Sequence, residues 1–220
     1  MFKDKFRGKY RIASNRLKGW DYSDEAMYFI TLVTQNRECN LGRVVNGEMI
    51  LSDYGKIIET EWLKSFEIRN ELFLDEYIIM PNHLHAIVII DKSNDDTHNT
   101  HDPNGMDGTN GMDGTTVETH GRASLQSPSP SPSPTPPLHR LPKSISSFVG
   151  GFKSAINSKI DDYIDEHQLP IPKYNRNNHF FQPNFHDHII RNNESYQKIK
   201  NYIINNPQKW IEDTFNNIGK

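Results

Sequence analysis

The chain is expected to fold as an α+β domain in which helices cover a mostly antiparallel sheet, and three observations lead there. Short runs of aromatic and β-branched residues, each of strand length, recur along the chain. Two longer stretches place an apolar residue every three or four positions, the period of a helix face. Strand and helix signals then alternate in the order strand, helix, strand, strand, helix, strand, helix.

Ala26–Thr34 (AMYFITLVT) reads as a buried strand. Asn46-Gly47, between Val44-Val45 and Met49-Ile50, is the signature of a tight hairpin turn. From Ser52 onward, Tyr54, Ile58, Trp62 and Phe66 recur every four residues and form one helix face. Residues 71–79 and His83–Ile90 read as two strands joined at Met80-Pro81-Asn82. A second amphipathic helix follows Lys143, with Ile145, Phe148, Phe152, Ala155/Ile156, Ile160 and Tyr163 on its apolar side and Gly150-Gly151 weakening it. Residues 180–190 read as a short strand with a loop. A last helix starts near Asn192 or Asn193, either of which can cap it, and runs to about Asn206, where Pro207 stops it.

The domain organisation expected from these signals begins with a basic arm at 1–25. The folded domain then comes in two parts, 26–91 and 143–210, around a low-complexity insert at 92–142, and a tail follows at 211–220. The insert repeats Asn-Gly-Met-Asp-Gly-Thr at 104 and 110 and carries four Ser-Pro units at 127–134. Such composition buries too little apolar surface to offset chain entropy, so disorder is expected there. Replacing 92–142 with a short flexible linker is therefore expected to leave any activity intact. Complete loss of activity in a variant that still folds would contradict this.

Net charge is −3, which of itself argues against a nucleic-acid partner. Its distribution argues the other way. Residues 1–20 hold Lys3, Lys5, Arg7, Lys9, Arg11, Arg16 and Lys18 against Asp4 alone, and 173–210 is also mainly basic, while the acidic insert masks both ends. Removing residues 1–20 is expected to lower affinity for DNA and flatten the dependence of log K on log salt. An unchanged slope would show that the arm does not touch phosphate. Cys39 is the sole cysteine, which excludes a disulfide framework and a cysteine-rich zinc site. No apolar run reaches the roughly 20 residues of a membrane span, and the charged N-terminus lacks a secretory h-region. The expected location is cytoplasmic, with no membrane partner.

The sharpest chemical feature is Met80-Pro-Asn-His-Leu-His-Ala-Ile-Val88. On a strand, His83 and His85 point to one face, about 7 Å apart, while Leu84, Ala86 and Val88 point to the other. Two imidazoles on one face can share a metal ion and leave positions open for a substrate. They can also be satisfied by hydrogen bonds at a polar edge. In an apolar strand, two inward rings are costly unless they have partners of one kind or the other.

Tyr77-Ile-Ile-Met-Pro-Asn-His-Leu-His-Ala-Ile-Val88 resembles the histidine-pair strand of single-tyrosine HUH transposases, most closely the REP-associated tyrosine transposase group. The resemblance extends through Tyr28–Arg37, Phe152-Lys-Ser154, Phe181–Asn192 and Tyr202-Ile-Ile-Asn-Asn-Pro207, which leaves out the insert and the arm. It implies a ferredoxin-like sheet with helices packed on one side. It also implies a divalent ion, Mg2+ or Mn2+, held by His83, His85 and Asn206, with Tyr202 as nucleophile. The activity implied is cleavage and rejoining of single-stranded, hairpin-associated DNA through a 5′-phosphotyrosine link, in a nucleoid-associated monomer or homodimer. Lys153, His188 and Arg191 are the expected DNA contacts.

Spacing supports part of this independently. Tyr202 and Asn206 are four apart and share a helix face. Tyr196, Ile199 and Ile203 form the buried stripe, with Tyr202 on its flank. Tyr196 is the weaker nucleophile candidate, because Lys200 follows it four residues on. His186 departs from the family, which carries an aromatic residue there, and Phe180, Phe181 and Phe185 fit either core positions or base stacking. A non-catalytic nucleic-acid-binding module on the same sheet is the alternative from another functional class.

Overall fold

β1 (Ala26–Val33) supplies the centre of the fold because its alternate positions suit two different environments. Tyr28, Ile30 and Leu32 are fully buried in the main core, while Phe29 and Thr31 face the other side of the sheet. The computed structural model describes residues 17, 19–93, 142–175 and 177–216. The expectations for residues 1–16 and 18 of the arm, for 94–141 of the insert and for 217–220 of the tail fall outside these residues.

Trp20 and Tyr22, assigned to the arm by charge, pack on the core instead. Trp20 Nε1 donates to the Tyr28 hydroxyl at 3.2 Å, and the Tyr22 carbonyl accepts from Ile145 N at 3.0 Å. The folded domain therefore begins before Ala26. An aromatic pair among charged residues gives a weak periodic signal, so composition alone set that boundary too late.

β2 (Gly42–Val45) and β3 (Glu48–Leu51) form the expected hairpin, with Asn46 and Gly47 both at positive φ, 54° and 80°. α1 (Asp53–Glu67) starts at Ser52, whose side chain accepts from Gly55 N. Gly55 is required by close approach, since a Cβ there would lie 2.2 Å from the Leu41 carbonyl oxygen. β4 (Leu72–Met80) and β5 (His83–Ile90) pair through the turn at Pro81-Asn82. α2 (Ile145–Glu166) runs uninterrupted through Gly150-Gly151, and Gly151 leaves room for Arg69, whose guanidinium lies over the Phe148 ring. Its buried stripe ends at Ile164, while Tyr163 turns outward to donate to Asp53. β6 (His186–Ile190) and α3 (Asn193–Ile204, capped by Asn192) complete the order. α3 closes two residues before Asn206, and Pro207 opens a 3-10 turn that runs to Glu212.

Among the described residues the main sheet runs β4-β5-β1-β6, with every neighbouring pair antiparallel. Leaving out the hairpin, the chain order through β6 is βαββαβ, which is the split βαβ arrangement of a ferredoxin-like sheet. The shared hand of the two crossovers puts α1 and α2 together on one face. They bury Trp62, Phe148, Phe152, Ile156 and Ile160 against β1 and β5. α3 goes to the opposite face, where Ile203 packs on Ile87 and Ile190. The expectation of helices on one side therefore holds for α1 and α2 and fails for α3, the helix that carries Tyr202.

Candidate active site

The register of β5 against its two neighbours determines what surrounds the histidine pair. His85 lies across from Thr31 on β1 and Ile78 on β4, and His83 from Val33 and Met80. Both side chains are buried, at 0% and 2% exposure, with ring centroids 4.4 Å apart. Burial holds His83 down at about pKa 3. Burial, then the neighbouring His83 and His186, holds His85 well below its ordinary value. Both rings are therefore neutral at physiological pH, the form that donates a lone pair to a metal.

Asn82 settles which nitrogen of His83 is free. Its Nδ2 donates to the carbonyls of Arg37 (3.1 Å) and Phe215 (2.8 Å), so its Oδ1 faces His83 Nδ1 at 2.9 Å. Nδ1 must then carry the proton, and the lone pair sits on Nε2. That Nε2 is buried with no hydrogen-bond partner among the described residues. His85 lies between two hydroxyls, with Nδ1 2.7 Å from Thr31 Oγ1 and Nε2 3.1 Å from the Tyr202 hydroxyl.

α3 brings Tyr202 across the sheet to this point. Its ring stands edge-on to Phe29 and 5.2 Å from the His85 ring, and the residue remains 41% exposed. Burial and then the Asp213 carboxylate raise its pKa, while a hydrogen bond from the Asn206 side chain opposes them. Asn206 lies past the last residue of α3, beyond Asn205, which leaves helical dihedrals (φ −91°, ψ 3°), yet its side chain still reaches the Tyr202 hydroxyl. It is 1% exposed, and its Oδ1 also lacks a partner among the described residues.

The last described segment, which the sequence suggested only as a tail, completes the site. Asp213 offers a carboxylate oxygen to the group, and ligand atoms of His83, His85 and Asp213 all lie within 4.8 Å of one another. Phe215 covers the His83 ring at 4.7 Å and carries the Arg37 guanidinium on its face at 5.4 Å. Two neutral imidazoles, a carboxylate and an unpartnered amide oxygen suit a divalent cation. The donor set fits a divalent metal.

The structure thus brings His83, His85, Tyr202 and Asn206 together. His188 pairs across from Phe29, on the face of the sheet that carries the histidines, and both it and Arg191 are exposed. Lys153 belongs to α2 on the opposite face, and its ammonium donates to the carbonyls of Gln182, Pro183 and Asn184, holding the loop before β6. The Tyr196 hydroxyl is engaged by Asp75 and Lys200. Phe180 and Phe181 are core, and Phe185 packs partly buried against it.

Thr31, Asn82 and Asp213 escaped the sequence reading. Thr31 had a signal, as a polar residue at an inward position of an apolar strand. Asp213 had none, because an acid after a proline-headed turn looks like ordinary surface.

No family model matches the chain. A protein of Haemophilus influenzae described as uncharacterized is 29% identical over 209 residues, spanning 94% of this chain and 93% of its own length. Among solved structures, the chain is similar to a REP-associated tyrosine transposase bound to a REP hairpin. The TM-score is 0.47 at 16% identity, over 90% of this chain and 74% of that one.

Proposed function

We propose that this protein is a tyrosine-dependent, divalent-metal-dependent endonuclease and strand transferase acting on hairpin-associated single-stranded DNA. The observation that carries this is the Tyr202 hydroxyl 3.1 Å from Nε2 of a buried histidine, on the flank of a helix whose core stripe does not need it. A purely binding module has no use for a phenol held against a buried imidazole. A structural tyrosine on α3 would point into the Ile87–Ile190–Ile203 cluster instead.

His83 and His85 would hold the ion through Nε2, with Asp213 and Asn206 supplying oxygen. For His85, this requires its Nδ1–H to donate to Thr31, the same tautomer that Asn82 imposes on His83. A bound Mg2+ or Mn2+ would draw charge from a phosphate oxygen and ease deprotonation of the phenol. The Tyr202 oxygen attacks phosphorus, and the bond to the 3′ oxygen of the preceding nucleotide breaks. That oxygen takes a proton and leaves as a 3′-hydroxyl, while the 5′ phosphate stays on Tyr202. Attack by another 3′-hydroxyl reverses the exchange and joins strands without ATP. His188 and Arg191 stand on the exposed edge where the DNA backbone would run, and Lys153 contributes by anchoring the loop before β6.

The test is incubation with a labelled hairpin-bearing single strand and magnesium or manganese, followed by denaturing electrophoresis. A covalent protein–DNA band is expected. Binding to the strand with no such band under any divalent ion would favour the binding module.

A further inference from the structure

We infer that Asp75 is a positioning residue, which fixes the roll of α3 and so holds the Tyr202 hydroxyl at the histidine pair. The inference rests on the nucleophile assignment of Tyr202. It begins at an irregularity in the sheet. β4 and β5 pair as Leu72↔Ile90, Phe73↔Ile89 and Leu74↔Val88, then resume as Glu76↔Ile87, so Asp75 is an extra residue in β4. A bulge of this kind re-aims side chains beside the place where it occurs. Leu74 still faces the main core and Glu76 pairs with Ile87 on the α3 face, while Asp75 between them also reaches α3.

Asp75 accepts from two groups of that helix. The Tyr196 hydroxyl lies 3.0 Å from each carboxylate oxygen, and Lys200 Nζ lies 3.1 and 3.3 Å from them. Lys200 Nζ also donates to the Tyr196 hydroxyl at 3.2 Å and lies 3.9 Å from Glu76. The side chains of Asp75 and Lys200 are only 21% and 29% exposed, so the pair is partly shielded from solvent. Tyr196 and Lys200 are one turn apart on a single face of α3.

The helix needs this anchor. Its apolar contact with the sheet is small, with Ile203 its one fully buried side chain and Tyr196 and Ile199 only partly buried. Such a contact resists separation better than it resists rolling, because apolar packing has no direction. Charge-assisted hydrogen bonds have direction and define one roll angle. Tyr202 projects from the helix surface, so a roll of about 10° moves its oxygen by roughly 1 Å, a misplacement that can cost a reaction about a hundredfold.

The experiment compares wild type, Asp75→Ala, Asp75→Asn and Tyr196→Phe in two measurements. In the first, single-turnover adduct formation at saturating DNA is expected to slow by about tenfold or more in Asp75→Ala, with DNA affinity unchanged. Asp75→Asn keeps an acceptor for Tyr196 and should recover most of the rate. In the second, the protein is labelled with 3-fluorotyrosine, and the Tyr202 resonance is identified by its loss in Tyr202→Phe. That resonance should move toward the free amino acid value in Asp75→Ala, without DNA or metal present. Tyr196→Phe removes one donor and serves if Asp75→Ala does not fold. An unmoved resonance with an unchanged rate in folded variants would overturn the inference. So would a slower rate with an unmoved resonance, since the loss would then come from something other than placement. A wild type that forms no adduct sinks the nuclease proposal, while the resonance still decides for or against the anchor.

Discussion

Tyr202→Phe is expected to abolish the covalent protein–DNA species while the fold, metal binding and DNA binding survive. The substitution removes one oxygen and keeps the ring, so the edge-on contact with Phe29 and the packing beside His85 remain. Tyr202 is 41% exposed, and two hydrogen bonds between neutral groups are lost, one to His85 and one from the buried Asn206 side chain, so the stability change should be about 1–3 kcal/mol. The chemical effect has no such limit, because a ring carbon cannot attack phosphorus. Denaturing electrophoresis with a labelled hairpin strand reads the adduct, and a mobility shift on native gels reads binding. A full-strength adduct from Tyr202→Phe would remove Tyr202 from the chemistry. Suspicion would not simply pass to Tyr196, whose hydroxyl is engaged by Asp75 and Lys200.

The histidine pair should fail differently. His83→Ala or His85→Ala is expected to remove most divalent-ion binding and to slow adduct formation with Tyr202 still present. Each variant also leaves a partner unsatisfied, Asn82 Oδ1 for His83 and Thr31 Oγ1 for His85, at about 1–3 kcal/mol. Gln at either position restores some of that hydrogen bonding and separates folding loss from metal loss. In wild type, manganese at about a hundred times its Kd should stabilise the fold by about 2.7 kcal/mol, and the variants should lose that thermal shift. Asn206→Ala should be milder than either, because water can replace one neutral oxygen ligand. Asp213→Ala should be worse than Asn206→Ala, because it removes the charged donor of the set. Adduct formation that persists in excess chelator would take the metal out of the mechanism.

Tyr202 and Asn206 could be paired from spacing alone, since one helical turn brings positions four apart together. The two side chains meet even though the regular helix ends at Ile204 and Asn205 departs from helical dihedrals, since the Asn206 side chain hydrogen-bonds the Tyr202 hydroxyl. His83 and His85 could be placed on one face because strand alternation is equally local. The tautomer of His83 could not be read in the same way. It depends on Asn82, whose amide is oriented by carbonyls at Arg37 and Phe215, far apart in sequence.

What the sequence by itself determined is the set of elements and their faces. Strand alternation in β1 and β5, the Asn46-Gly47 turn and the stripe of α1 all follow from residues within a few positions of one another, and each forms where expected. What only the tertiary structure decided is which faces meet. The placement of α3 opposite α1 and α2, the bulge that turns Asp75 toward it, and the return of Asp213 and Phe215 to the histidines depend on contacts between distant segments. Local periodicity records which side of an element is apolar. It carries no record of the partner that side will find, because that choice is made by the closing of the whole core.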